Sequence, residues 1–292
     1  MELNKSTSEI YVPDGAAVAA ALARTTHMVI GAHPDDNEIM AWHGILECFG
    51  REDRHFASVT VTNGAGSARS GIYASYSDAD MQKVRRAEQK KAACVGEYGA
   101  QVFLDHSSGE VKDSNNTHVI RDLRQVVDAA RPQVIYAHNL ADKHDTHVAV
   151  ALRTIRALRE LPKASRPQHL YGCEVWRDLD WLNDQDKVVF DVHEREHLAL
   201  ALVGVFDSQI CGGKRYDLAT WGRRRANATY LASHSVDQST AVIYGVDLTP
   251  LIENDALNPG EYMLGFIDRF KEEVAARLAK LGDGVVAPPF PR

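Results

Sequence analysis

Apolar positions in the first two-thirds of the chain fall into two alternating patterns. Residues 27–32 (HMVIGA), 56–62 (FASVTVT), 101–104 (QVFL) and 133–137 (QVIYA) are short, β-branched-rich runs that read as buried strands. Residues 17–24, 78–97, 118–130 and 147–161 carry the helical period instead; in the second, Met81, Val84, Ala92 and Val95 share a side and the charges take the other. Pro132 ends the third. Strands and helices alternating at this spacing predict an α/β chain: a Rossmann-like, mostly parallel sheet flanked by helices. Such sheets hold their ligands beyond the carboxyl ends of the strands, near a topological switch point. The loops after Ala32, Thr62, Leu104 and Ala137 are therefore where chemistry is expected.

After Arg166-Pro167 the pattern changes. Residues 169–176 and 188–192 read as strands, 194–206 and 218–233 as helices, and 263–281 as a charged amphipathic helix that closes the fold from outside. The expected division is a core over residues 1–165 that carries the site, and a C-terminal α/β extension over 166–292 that packs on it and shapes the pocket. The last stretch, 282–292 (GDGVVAPPFPR), is expected to fray.

Composition narrows the classes. At 45% hydrophobic and 25% charged residues, the 292-residue chain has the balance of a soluble globular protein, which excludes disorder throughout. The formal net charge of -7 leaves no electrostatic footprint for nucleic acid or anionic membrane. A small-molecule substrate, and beside it a second copy of the chain, remain as partners. Cys48, Cys94, Cys173 and Cys211 are far apart and form no CxxC pair, which argues against disulfide staples and a thiolate metal site. With no apolar run of spanning or signal-peptide length, a cytoplasmic location is the expectation.

Two strand-end loops concentrate metal-ligand side chains. AHPDDNE, residues 32–38, follows the first apolar strand, and HNLADKHDTH, residues 138–147, follows another. Taken singly, Asp35 or Asp36 serves as a helix N-cap, Asp145 as another, and His138, His43, His55 and His106 as hydrogen-bonded spectators. Taken together, an imidazole and carboxylates from one loop and imidazoles from a second can build a three-ligand zinc site with one position left for water.

AHPDDNE resembles the AHPDD-x-E signature of the LmbE-like (PIG-L) deacetylases, which release acetate from N-acetylated sugars. The resemblance implies that His33 and Asp36 are zinc ligands and Asp35 the general base. The family's second motif, His-Pro-Asp-His, is similar to His144-Asp145-Thr146-His147, which implies that His147 is the third ligand and His144 a catalytic imidazole. Asp142 fits the family's lead-in. TVTNG at 60–64 resembles a Thr-x-Gly loop, Arg85-Arg-Ala-Glu88 an Arg-x-x-Glu helix whose Arg85 reaches the substrate, and Asp207-Ser208-Gln209 a late turn.

The departures carry expectations too. Thr146 stands where the second motif has its acid, so Asp142 or Asp145 must orient His144 from behind. Trp42-His43 replaces a Gly-Gly and should narrow one wall of the pocket. Ser108-Gly109 stands in place of an Asp-Gly that holds a sugar hydroxyl, and Phe206 in place of a His. Trp221-Gly-Arg-Arg-Arg225 reads as a solvated face or a subunit contact, and His234 is a remote candidate for the pocket. The implied function is a zinc-dependent hydrolase of an N-acylated, sugar-like molecule, with one Zn2+ per chain and Fe2+ as its cellular substitute. The alternative is a zinc-dependent hydratase of an unsaturated dicarboxylic acid. A non-catalytic ligand-binding Rossmann domain ranks third, because no GxGxxG follows the first strand.

Overall fold

The computed structural model describes residues 1–282. Its centre is one eight-stranded sheet, made of β1 (Glu9–Tyr11), β2 (His27–Gly31), β3 (Phe56–Thr62), β4 (Ala100–His106), β5 (Val134–His138), β6 (His169–Cys173), β7 (Val188–Asp191) and β8 (Val242–Asp247). The spatial order is β1-β4-β3-β2-β5-β6-β8-β7. The five strands β2 to β6 run parallel. They are covered on both faces, so they carry continuous apolar runs; β2 and β3 are buried at every position.

From β2 the chain moves outward through β3 and β4, then crosses back to place β5 on the other side of β2. The switch point thus lies between the strands that precede the two His/Asp loops. The four expected parallel strands are all present, and β6 and β7 begin where the sequence places them. Two strands were not read from the sequence: β1, which edges the sheet antiparallel to β4, and β8, which lies between β6 and β7 and antiparallel to both. Through β8 and β7 the C-terminal part continues the sheet that carries the site. Residues 283–292, within the stretch expected to fray, lie outside the described residues. No helix among the described residues is long and apolar enough to cross a membrane.

Two apolar layers sandwich the sheet. One gathers Met28, Ile30, Val59, Leu123, Val127 and Leu158 under the crossover helices His118–Ala130 and Asp145–Arg159. The other gathers Trp42, Ile45, Phe56, Tyr136 and Phe206 on the opposite face. Trp42 and His43 belong to this second layer. Trp42 is 1% exposed and its indole N–H donates to the Val192 carbonyl, while His43 bonds the Tyr136 hydroxyl at 2.7 Å. Neither lines the pocket described below, which corrects the expectation that they narrow its wall.

Gly44 lets the short helix Trp42–Cys48 approach this closely. A Cβ there would stand 2.4 Å from a Tyr136 ring carbon and 3.0 Å from one of Phe56. Gly44→Ala is therefore expected to destabilise the fold by about 1–3 kcal/mol through overpacking. Chemical denaturation measures the loss; an unchanged midpoint would contradict this packing.

Candidate metal centre and active site

The loop after β2 turns sharply into the helix Asp36–Met40. Asp35 makes the turn at φ 92°, a conformation that costs a non-glycine residue about 1–3 kcal/mol. Its surroundings hold it there. The Asp35 N–H donates to Gln89 Oε1 at 3.3 Å, and Gln89 in turn donates to Glu38 at 2.7 Å. The Arg85 guanidinium donates to the Pro34 carbonyl and faces both Asp35 oxygens at 3.4 Å. Arg85 is 2% exposed, so it is no solvated helix charge. Gly64, at φ 73°, makes room for it, since a Cβ there would lie 3.2 Å from the Arg85 side chain.

Three donor atoms then converge. His33 Nδ1 lies 3.0 Å from Asp36 Oδ2 and 3.2 Å from His147 Nε2, and His147 Nε2 lies 3.3 Å from Asp36 Oδ2. Ligands 2.0–2.1 Å from a tetrahedral ion stand about 3.3 Å apart, so this triangle has the dimensions of one face of such a shell. Asp142 stands behind it. One of its oxygens accepts the backbone N–H of His144 at 2.9 Å; the other accepts that of Trp176 at 3.1 Å and faces His147 Nδ1 at 3.4 Å. That arrangement favours a proton on Nδ1 and aims Nε2 at the triangle.

Two other groupings of the same side chains bring donor atoms together: His33 with His144 and His147, and Asp36 with His138 and His147. Ring orientation counts against both. His144 and His138 stack on His147, at 25° and 20° between planes, and imidazole lone pairs lie in the ring plane. Stacked rings cannot both aim at one ion about 2 Å away. His138 Nε2 also accepts the Ala32 N–H at 2.9 Å, which occupies its lone pair. His138 is a fully buried platform beneath His147.

Electrostatics agree with a cation at this point. Burial disfavours charge on His147, yet the Asp36 carboxylate and the hydrogen bond to Asp142 overcome it and raise the imidazole to about 9. Burial also works against the charge on Asp36, and His147 and His33 nevertheless hold it well below the usual carboxylate range. Asp35 differs: burial, opposed by Arg85, pushes it up to about 6. Adjacent carboxylates thus have opposite tendencies.

The triangle opens into a cavity of about 400 Å3 at the carboxyl ends of the parallel strands. Asp35, Arg85, Ser108, His144, Trp176 and Tyr216 are among the side chains on its wall. A scan against protein-family models matches residues 28–158 to PIG-L, described as GlcNAc-PI de-N-acetylase. Residues 28–158 carry a PIG-L domain. No curated protein matches the sequence. Solved structures share the fold. The N,N'-diacetylchitobiose deacetylase of Pyrococcus horikoshii aligns at TM-score 0.59 and 16% identity, over 83% of this chain and 90% of that one. The GalB 4-carboxy-2-hydroxymuconate hydratase of Pseudomonas putida aligns at 0.56 and 16%, over 77% and 96%. A conserved Thermus thermophilus protein aligns at 0.58 and 19%, over 76% and 94%.

The PIG-L domain ends before β6, and later residues complete its site. Trp176, Gln209, Lys214 and Tyr216 line the cavity. Glu88 of the helix Asp78–Val95 accepts both the backbone N–H and the hydroxyl of Ser208 at 2.7 Å, joining the Arg-x-x-Glu helix to the late turn. The arginine cluster also faces inward. Arg224 is buried and donates to the carbonyls of Glu38 and Ile39, and Arg223 donates to that of Val175. Only Arg225 is surface-paired, with Glu196 at 2.9 Å.

The expectation that Asp142 or Asp145 orients the His144 imidazole fails, because Asp142 meets the backbone of His144 and the ring of His147, and neither carboxylate bonds the His144 ring. Asp145 is exposed in the first turn of the helix Asp145–Arg159, where a carboxylate suits the helix dipole, and it makes no side-chain hydrogen bond or ion pair among the described residues. His234 is exposed and does not line the cavity. Asp142→Ala is therefore expected to weaken divalent-metal affinity about 10–100-fold, whereas Asp145→Ala leaves it unchanged. Competition titration with a chromogenic chelator reads both, and equal effects would refute the assignment.

Proposed function

We propose that the chain is a zinc-dependent N-deacetylase acting on a small N-acylated amino sugar or a conjugate of one. The observation that carries the reading is the triangle of His33 Nδ1, Asp36 Oδ2 and His147 Nε2 with the Asp35 carboxylate, held by Arg85, beside it. Those three residues would hold the ion. For a His/His/carboxylate set the divalent series favours zinc over iron, with iron taking the site where availability reverses that preference. When bound, the ion supplies Lewis acidity toward an acyl carbonyl.

The chain's own groups divide the remaining work. Asp35, raised toward neutral pH, takes the proton of the attacking water. The same proton passes to the leaving nitrogen as the C–N bond breaks, so the products are a free amine and acetic acid, which ionises to acetate at neutral pH. His144 lines the cavity with its ring edge-on to His33 at 5.0 Å. Burial lowers its pKa, so it meets the developing oxyanion as a neutral N–H donor. Arg85 fixes Asp35 from behind and presents the rest of its guanidinium to the substrate.

Lys112 and Lys214 on the same cavity wall favour one second reading, a hydratase of an unsaturated dicarboxylic acid, whose carboxylates they would meet. Acetate release from N-acetylglucosamine and its conjugates, against loss of absorbance from unsaturated diacids, separates the two. Under the deacetylase reading, Asp35→Asn keeps the metal and loses about 10²–10⁴-fold in turnover. Loss of metal in that variant would show that the two aspartates have been exchanged.

A further inference from the structure

The C-terminal helix Pro259–Leu281 serves no part of the site, and it is anchored at one end only. Met263 and Phe266 are buried, Arg269 pairs with Asp186 at 2.8 Å, and Phe270 meets the Trp181 ring edge-on at 6.3 Å. Beyond Phe270 nearly every residue is exposed, so about three turns extend without packing on the body. A helix that short is marginal in water unless something covers it.

Its sequence carries a regular apolar repeat. Leu264, Ile267, Lys271, Val274, Leu278 and Leu281 repeat at spacings of three and four, the heptad seam of a coiled coil. The five apolar members are all exposed, among them Leu264 at 58%, Leu278 at 63% and Leu281 at 75%. An exposed apolar stripe of this regularity marks an interaction surface.

We infer that this helix pairs antiparallel with the same helix of a second copy of the chain. Self-pairing about a two-fold axis sets Leu264 against Leu281, Ile267 against Leu278 and Lys271 against Val274, so every layer of the seam is filled. Parallel, in-register pairing would instead bring the two Lys271 ammonium groups together. The antiparallel arrangement sets each Lys271 against the apolar Val274 of the other copy instead. It also sets Phe270 of one copy beside Arg277 of the other, where the arginine can cover the ring. The pairing is independent of what the active site does.

Sedimentation velocity on the full chain across the micromolar range tests it, with circular dichroism as the control for folding. A monomer–dimer equilibrium is expected, and Leu278→Glu should abolish the dimer with the helix content retained. Lys271→Leu should tighten it about tenfold or more, because a charge at a seam position costs stability. Leu264→Glu and Leu281→Lys should each weaken pairing and together restore it, since these two positions face each other only in the antiparallel seam. A chain that stays monomeric, a dimer indifferent to Leu278→Glu, or a double variant with no rescue overturns the proposal.

Discussion

A carboxylate kept ionised away from water is the constraint from which the rest of this structure follows. Asp36 is 3% exposed and sits at the switch point of a parallel sheet, where burial penalises its charge. Its compensation comes from His33, which offers both a backbone N–H at 2.7 Å and a ring nitrogen, and from His147 across the switch point. Behind His147 stands Asp142, and behind Asp142 the backbone of Trp176 at the end of β6. Three strand ends are thereby drawn to one point. The convergence that stabilises the apo site is also what makes three donors available to a single ion.

The loop after β2 is held as firmly from outside as from inside. Asn37, fully buried, donates to Ser58 at 2.7 Å and ties the helix Asp36–Met40 to β3. Arg224 meets the carbonyls of Glu38 and Ile39 from the C-terminal part of the chain. Glu38, pushed up to about 8 by burial, links Gln89 and Tyr98 beneath the loop. The strained Asp35 backbone persists because these contacts over-determine it. Residues after β6 are accordingly structural partners of the site as well as its cavity wall, although the family model ends before them.

The parallel core was legible because its strands are buried on both faces and therefore written as unbroken apolar runs. The two antiparallel additions were not. Glu9–Tyr11 is three residues long and half-buried, and Val242–Asp247 is interrupted by Gly245. At the site, His33, Asp35, Asp36, His144 and His147 could be read because they lie in two dense motifs at strand ends. What sequence alone left open was orientation. Nothing in HNLADKHDTH distinguishes Asp142, which faces inward, from Asp145, which meets solvent, or shows that His138 stacks beneath His147. Trp42 was misassigned for a similar reason, because a helix begins there and its indole faces the opposite layer of the sheet. The arginines at 223 and 224 read as surface charge because their acceptors are backbone carbonyls far away in sequence.

The claim that His33, Asp36 and His147 form one ion site is tested most directly by anomalous diffraction at the zinc edge, on crystals of the purified chain equilibrated with zinc. The account predicts a single strong peak about 2.0–2.2 Å from His33 Nδ1, Asp36 Oδ2 and His147 Nε2. A peak centred on His144 or His138, or no peak in this cavity, would contradict it.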